Sequence, residues 1–234
     1  MDLNSDEDTL LNIDPRRQEA GKRVLVMTAV PVERDAVLRG LNGDIRVDVV
    51  LAGVGPAASA ASTAKALSAD DYGLVVSAGI GGGFAGRAEV GSLVVASEIV
   101  AADLGVETAD GFSSLDELGF GSTHVPLDTS LVERVAGLML AAGLPVITGP
   151  VLSVSTVTGT AASAAEMAAR VPGAASEAME GYGVAIAAND KGTPVLEIRA
   201  ISNLVGPRDR TAWRIKEALE LLEAASSVLL EVLS

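Results

Sequence analysis

Three side chains carry the chemistry open to this sequence, and each stands where a strand is expected to end. Ser202-Asn203 closes the run 195–201, which is β-branched and apolar enough for a buried strand. Met179-Glu180 opens the helix before that strand, and Glu33 lies at the first strand-to-helix junction, just after Pro31. Asp103, beyond the apolar run 90–100, is a further acid at such a position. In an open α/β sheet, ligands bind beyond the carboxyl ends of the strands. One carboxylate at a helix start is ordinarily a response to the helix dipole. Two acids and a carboxamide at the ends of separate strands make a working set: carboxylates to grip hydroxyls or take a proton from water, and an amide to read a heteroatom.

Competing chemistries find less support. Gly53-x-Gly55-x-x-Ala58 has the outline of a dinucleotide turn, but it follows the second strand, and Asp70-Asp71 fall at a helix end where they cannot grip a ribose. Gly79–Gly83 reads as a second flexible turn at a strand end, serving either close backbone packing or a floor for a flat ring or sugar. It lacks the Gly-Lys-Ser/Thr ending of a triphosphate loop. The single histidine, His124, sits in an irregular stretch, and the absence of Gly-x-Ser-x-Gly leaves it without a nucleophile elbow, so a loop or surface histidine is expected. With no cysteine, thiolate catalysis and Cys-based metal sites are excluded, and one histidine rules out a His-rich one. Neither a metal nor an organic cofactor is implied.

The elements that must position the three side chains alternate in type. Residues 23–30 predict a buried strand, and Pro31 opens a helix over 32–41 at the one place where its missing N–H costs nothing. A second strand over 45–52 runs into Gly53-Val54-Gly55-Pro56 and an Ala-rich helix to Leu67, and a third over 74–78 enters the glycine run. The strand over 90–100 is long enough to bend or serve two sheets, whereas 102–127 has no clear period and predicts an extended loop or lid. A helix over 130–142, a strand over 145–154 ending in Ser155-Thr156-Val157-Thr158-Gly159, a turn at 189–192 and an amphipathic helix over 211–233 complete the order. The fold class expected is α/β: a single domain over 23–234 with a central mixed, mostly parallel sheet flanked by helices. Residues 1–22, with five acids before any base, predict a disordered or loosely docked tail.

Lys and Arg number 17 against 31 Asp and Glu, a net charge of −14 that argues against nucleic-acid backbones and anionic membranes as partners. Scarce aromatics, 3%, leave no stacking platform for single-stranded nucleic acid. No apolar run spans a bilayer and no leader pattern is present, so a cytoplasmic location is expected.

In chain order, Thr28-Ala29-Val30-Pro31-Val32-Glu33, Gly53-Val54-Gly55, Ser77-Ala78-Gly79-Ile80-Gly81-Gly82, Val90-Gly91-Ser92-Leu93-Val94-Val95, Ala178-Met179-Glu180-Gly181 and Arg199-Ala200-Ile201-Ser202-Asn203 resemble the purine nucleoside phosphorylase and nucleosidase superfamily. The resemblance runs from about Arg23 to the C-terminus, and the segment 201–215 is most similar to the futalosine hydrolase branch. It implies an N-glycosyl hydrolase that releases hypoxanthine from futalosine on the way to menaquinone. The methylthioadenosine/adenosylhomocysteine nucleosidases and the phosphorylases remain as alternatives, and a non-catalytic nucleoside-binding protein is the reading outside enzymology.

By the same resemblance, Glu33 orients and deprotonates water, Glu180 binds the ribose hydroxyls with Met179 against the sugar, and Gly79, Ile80, Val157, Ser202 and Asn203 surround the base. Asn203 departs from the Asp of adenine-specific relatives, and an amide suits a 6-oxopurine. Where the phosphorylases place an arginine ahead of the glycine run, Leu74-Val75-Val76 is apolar, which favours water over phosphate as nucleophile; Arg34 and Arg87 are the cations that could still serve phosphate. For the 5′ carboxyphenyl group the expectation is Arg208 or Arg210 on the carboxylate, with Phe112, Phe120 or Trp213 as wall, although both arginines could simply balance nearby acids such as Asp209. A homo-oligomer is typical of the family.

Overall fold

The computed structural model describes residues 23–109 and 111–232, so the expected tail over 1–22 lies outside the described residues. In chain order the elements are β1 (Val24–Thr28), α1 (Pro31–Leu41), β2 (Val47–Leu51), α2 (Pro56–Ala69), β3 (Leu74–Gly83), β4 (Leu93–Ala101), β5 (Gly105–Thr108), β6 (Gly111–Ser114), α3 (Leu115–Leu118), β7 (His124–Pro126), α4 (Thr129–Ala141), β8 (Val146–Ser153), α5 (Ala161–Arg170), β9 (Ser176–Ala178), α6 (Gly181–Asp190), β10 (Val195–Leu204) and α7 (Ile215–Val232).

Among the described residues one eight-stranded sheet, ordered β10-β4-β8-β9-β3-β1-β2 with β7 beside β4, forms the centre. β1–β2, β1–β3, β3–β10, β4–β8 and β8–β9 pair in parallel, while β4–β10, β3–β9 and β4–β7 are antiparallel. The sheet is therefore mixed and mostly parallel. β1 is buried at every position, as a strand covered on both faces must be. α1 packs with α7 and α2 with α6. β4 does serve several partners, and its register with β8 shifts between Ala96 and Ile99.

Two expectations are corrected. Gly79–Gly83 is no turn: β3 continues through it, paired with β10 along its whole length and with β9 at its end. The glycines serve close approach inside a strand, because a Cβ at Gly79 would lie 2.6 Å from Glu33 Oε1 and one at Gly83 would lie 2.1 Å from Ala88 O. The 102–127 segment is no extended loop either. It folds as the β5–β6 hairpin, the short α3 and β7, and α3 is held by a capping box between Ser114 and Glu117. α5 and β9 were not anticipated from the sequence.

Candidate active site

β1 ends at Thr28, and Glu33 lies in the first turn of α1, buried to 3% exposure. Its Oε2 accepts the backbone N–H groups of Ala29 (3.0 Å) and Val30 (3.2 Å), and its Oε1 accepts that of Ile80 (2.9 Å). Those three donors fix the carboxylate between the end of β1 and the glycine run of β3. Burial pushes its pKa above the ordinary carboxylate value, against the pull of Arg199 and the hydrogen bonds.

Glu180 is the N-cap residue of α6 and is likewise buried. Its Oε1 accepts the N–H of Gly55 at the start of α2 (3.4 Å), so the N-terminus of that helix meets the carboxylate. Gly55 takes φ +91°, a conformation that suits glycine and points its N–H inward. Met179, half-buried, directly precedes it.

Between the two acids stands Arg199 of β10, essentially fully buried. Its Nη1 is 3.2 Å from Glu180 Oε2 and reaches Ile80 O at 3.4 Å, its Nη2 donates to Ser77 Oγ (2.9 Å), and its Nε donates to Glu197 Oε1 (2.8 Å). Burial opposes the charge, but Glu197, Glu180 and Glu33 together hold the guanidinium pKa above its usual value. Glu33 is close enough to Arg199 that a Cβ at Gly79 would touch both side chains. Glu33 and Glu180 are thus brought to one buried centre, which the guanidinium fills.

Asn203 lies further along the same strand pair. Arg199 is in register with Gly79 and Asn203 with Gly82, so the amide stands about 10 Å along β3 from that centre. A bulge between Ile201 and Asn203 accommodates Ser202, whose Oγ lies 3.3 Å from Gly81 O and 2.8 Å from Asn203 Oδ1, its one proton suiting the nearer. The amide Nδ2 donates to Leu204 O at 2.9 Å. Gly79 and Ile80 line the stretch of β3 between the two positions. Val157, 40% exposed, lies in the loop after β8, and that loop is joined to the one after β10 by Arg208 N to Gly159 O (3.2 Å).

The residues expected around a 5′ group are placed in different contacts. Arg208 and Arg210 lie 5.2 and 5.7 Å from the centroid of the Trp213 ring, and neither is in an ion pair among the described residues, since Asp209 instead accepts from Thr211. The Phe112 ring lies under Arg170 at 3.7 Å, and Phe120 is 79% exposed. Phe112 is thus stacked on Arg170, and the stack on Trp213 is made by Arg208 and Arg210. His124 pairs with Glu98 at 2.9 Å on the surface of β7, and Asp103 accepts from Ser155 N at 2.6 Å.

Sequence reasoning passed over Arg199 and Glu197 as site residues. A signal existed for both: strand alternation puts Glu197 and Arg199 on one face of a run otherwise apolar, where a lone charge would be prohibitive and a pair is not. Among the described residues no three His, Cys, Asp or Glu side chains are grouped to hold a metal ion.

The family model described as the phosphorylase superfamily matches residues 18–234. The chain is 54% identical to a futalosine hydrolase of Streptomyces coelicolor over 90% of its own length and 96% of that protein. It is 46% identical to a futalosine hydrolase of Acidothermus cellulolyticus, covering 88% and 89% of the two chains. Its fold matches the 5′-methylthioadenosine/S-adenosylhomocysteine nucleosidase of Neisseria meningitidis solved with methylthio-immucillin-A, at a TM-score of 0.75 and 21% identity over 91% and 98% of the chains. The chain belongs to the phosphorylase superfamily and, within it, to the futalosine hydrolase family.

Proposed function

We propose that this protein hydrolyses the N-glycosidic bond of futalosine, releasing hypoxanthine and dehypoxanthine futalosine, as a step of menaquinone formation. The observation that carries the reading is the meeting of Glu33 and Glu180 on one buried guanidinium, with Asn203 further along the same strand pair. The similarity to futalosine hydrolases at 54% and 46% identity supports the choice of substrate.

Cleaving a purine–ribose bond builds positive charge on the sugar and negative charge on the departing base. Glu180 accepts from the ribose hydroxyls, each charge-assisted bond contributing roughly 1.5–3 kcal/mol, and Met179 lies against the sugar face. Glu33, already bound by three N–H groups, keeps acceptor capacity for a water and takes its proton as the water attacks the anomeric carbon. Arg199 positions both carboxylates without itself touching the substrate. Asn203 aims its NH₂ at N7 or O6 and stabilises the charge that collects on hypoxanthine. Gly79, Ile80, Val157 and Ser202 enclose the ring. Arg208 or Arg210, beside Trp213, takes the 5′ carboxylate, and Phe112, stacked on Arg170, is left out of that subsite.

Water is the nucleophile in this reading because the position ahead of the glycine run holds Val75 and Val76, both fully buried. The two remaining candidates for phosphate are engaged: Arg34 with Asp35 at 2.9 Å and Arg87 with Gly173 O at 3.2 Å. Chromatographic product analysis of futalosine, methylthioadenosine and inosine, each with and without phosphate, tests the whole proposal. Hypoxanthine from futalosine at a rate indifferent to phosphate is expected. Adenine as the preferred product, a phosphate-dependent rate, or binding without cleavage would each assign a different activity. The reading includes a cytoplasmic location and self-association. No helix among the described residues is long and apolar enough to cross a membrane.

A further inference from the structure

Glu197 is a fully buried acid with no part in the steps given above. It stands two residues before Arg199 on β10, so strand alternation puts both side chains on one face of the sheet. In register, Glu197 lies beside Ser77 of β3 and Arg199 beside Gly79. The guanidinium thus has a front and a rear. At the front, Nη1 meets Glu180 Oε2 at 3.2 Å, and a Cβ at Gly79 would lie 2.8 Å from Nη1 and 2.6 Å from Glu33 Oε1. At the rear, Nε donates to Glu197 Oε1 at 2.8 Å and Nη2 to Ser77 Oγ at 2.9 Å.

Room for the rear carboxylate is made by Gly181. A Cβ there would lie 2.1 Å from Glu197 Oε2 and 2.4 Å from Oε1, so even alanine at the first position of α6 would drive the carboxylate off Arg199. The place also suits an anion, because the positive end of the α6 dipole is at Gly181. Oε2 has no hydrogen-bond partner among the described residues, so the carboxylate is held by Arg199 and by that dipole. A buried ion pair gains little stability over apolar side chains of similar volume. Stability is therefore a poor reason for an acid here, and control of the cation in front of it is a better one.

We propose that Glu197 is a positioning residue for the hydrolysis: admitted by Gly181, it anchors Arg199 from behind through Nε, so that Nη1 is turned toward Glu33 and Glu180. The assignment rests on the purine nucleosidase reading given above. Its consequence is electrostatic. One positive charge is divided among Glu197 on the same strand, Glu180 at the start of α6 and Glu33 at the start of α1, while β3 presents the hydroxyl of Ser77. With an ionised Glu197 behind it, the guanidinium draws less on Glu33, which keeps the basicity to take a proton from water. Without that rear charge the whole pull of Arg199 falls on the two front carboxylates, and the base weakens.

The test is the pH–rate profile of the full-length enzyme on futalosine, for wild type, Glu197→Gln and Glu197→Asp. Gln keeps an acceptor for Nε and removes the charge, so kcat is expected to fall about 5- to 50-fold, with KM little changed and the acid limb moved to lower pH by about half a unit or more. Asp keeps the charge, and its acid limb should stay with that of the wild type. A carboxylate that only filled space beneath α6 would lower Tm and kcat and leave the limb of the Gln variant in place. That result, with wild-type enzyme freeing hypoxanthine, overturns the Glu197 assignment and leaves the proposed function standing. Wild-type enzyme that frees no hypoxanthine overturns the proposed function, and this assignment with it. If Glu197→Gln does not fold, Gly181→Ala combined with Glu197→Val refills the space without charge, and an acid limb unmoved in that variant overturns the assignment in the same way.

Discussion

Arg199 sets the energetics of the site at the level of single side chains. At an effective dielectric of 20, unit charges 3.2 Å apart attract by about 5 kcal/mol, while each buried ion forfeits several kcal/mol of hydration. One cation among Glu33, Glu180 and Glu197 therefore cannot hold all three fully ionised without strain. The pKa values of Glu33 and Glu197 are both raised, with burial the leading cause in each. Glu197 is the more enclosed, and its Oε2 has no hydrogen-bond partner among the described residues. Glu33 must be ionised to accept a proton from water, so activity should rise with pH through a value above the ordinary carboxylate range and fall away as pH drops through it. Glu33→Gln keeps the shape and removes the base. We expect kcat to fall by about 10²–10⁴ with KM little changed, and the acid limb of the pH–rate profile to disappear with it. Steady-state kinetics across pH check this, and a variant within a few-fold of wild type would remove Glu33 from the mechanism.

Among the elements, α2 and α6 show how packing delivers chemistry. Gly183 of α6 sits so near α2 that a Cβ there would be 2.1 Å from Pro56 O, and Ser59 Oγ of α2 donates to Glu180 O at 3.0 Å. That approach brings Gly55 N to Glu180. For Gly183→Ala, helix propensity gains about 1 kcal/mol, but overpacking against a backbone oxygen that cannot rotate away costs typically 1–3 kcal/mol. The second effect should win. Lower Tm together with a raised KM is expected, measured by calorimetry and kinetics, and a more stable enzyme with unchanged KM would show the contact to be soft. Most of these elements were legible in the sequence: β1 and β10 as unbroken apolar runs, the second up to its polar end, and α1 by the proline that opens it. The glycine run was misread because glycine signals a turn by conformational freedom, whereas here its smallness admits Glu33 and Arg199 beside a strand. The 102–127 region was opaque because the β5–β6 hairpin has little burial and its alternation carries no hydrophobic signal. Of the candidate site, Glu33 and Glu180 were marked by their places at helix starts and Asn203 by the polar end of β10, while their roles came from the family resemblance.

For the molecule as a whole, the buried acids dictate how stability responds to pH. Glu33, Glu177 and Glu197 have pKa values raised in the folded state, with burial the leading cause in each. A carboxyl raised on folding binds its proton more tightly in the native state, so its contribution is fully present below the unfolded value and is lost as pH climbs through the folded one. Asp44, Asp116, Asp128 and Asp209 are shifted the other way, chiefly by side-chain hydrogen bonds, and their contribution is lost only as pH falls through values below the ordinary range. Between neutrality and the ordinary carboxylate range, therefore, the raised group acts alone. The net charge of −14 works in the same direction, because each proton taken up relieves self-repulsion in the compact state. Tm at constant ionic strength is accordingly expected to rise from about pH 8 to about pH 5 and to turn down only in stronger acid. Glu197→Gln, which retains an acceptor for Arg199 Nε while deleting the most enclosed carboxylate, should flatten that rise. A Tm that fell steadily on acidification from pH 8 would mean that Glu197 and its neighbours are as well solvated as surface acids, which is incompatible with a guanidinium buried among them.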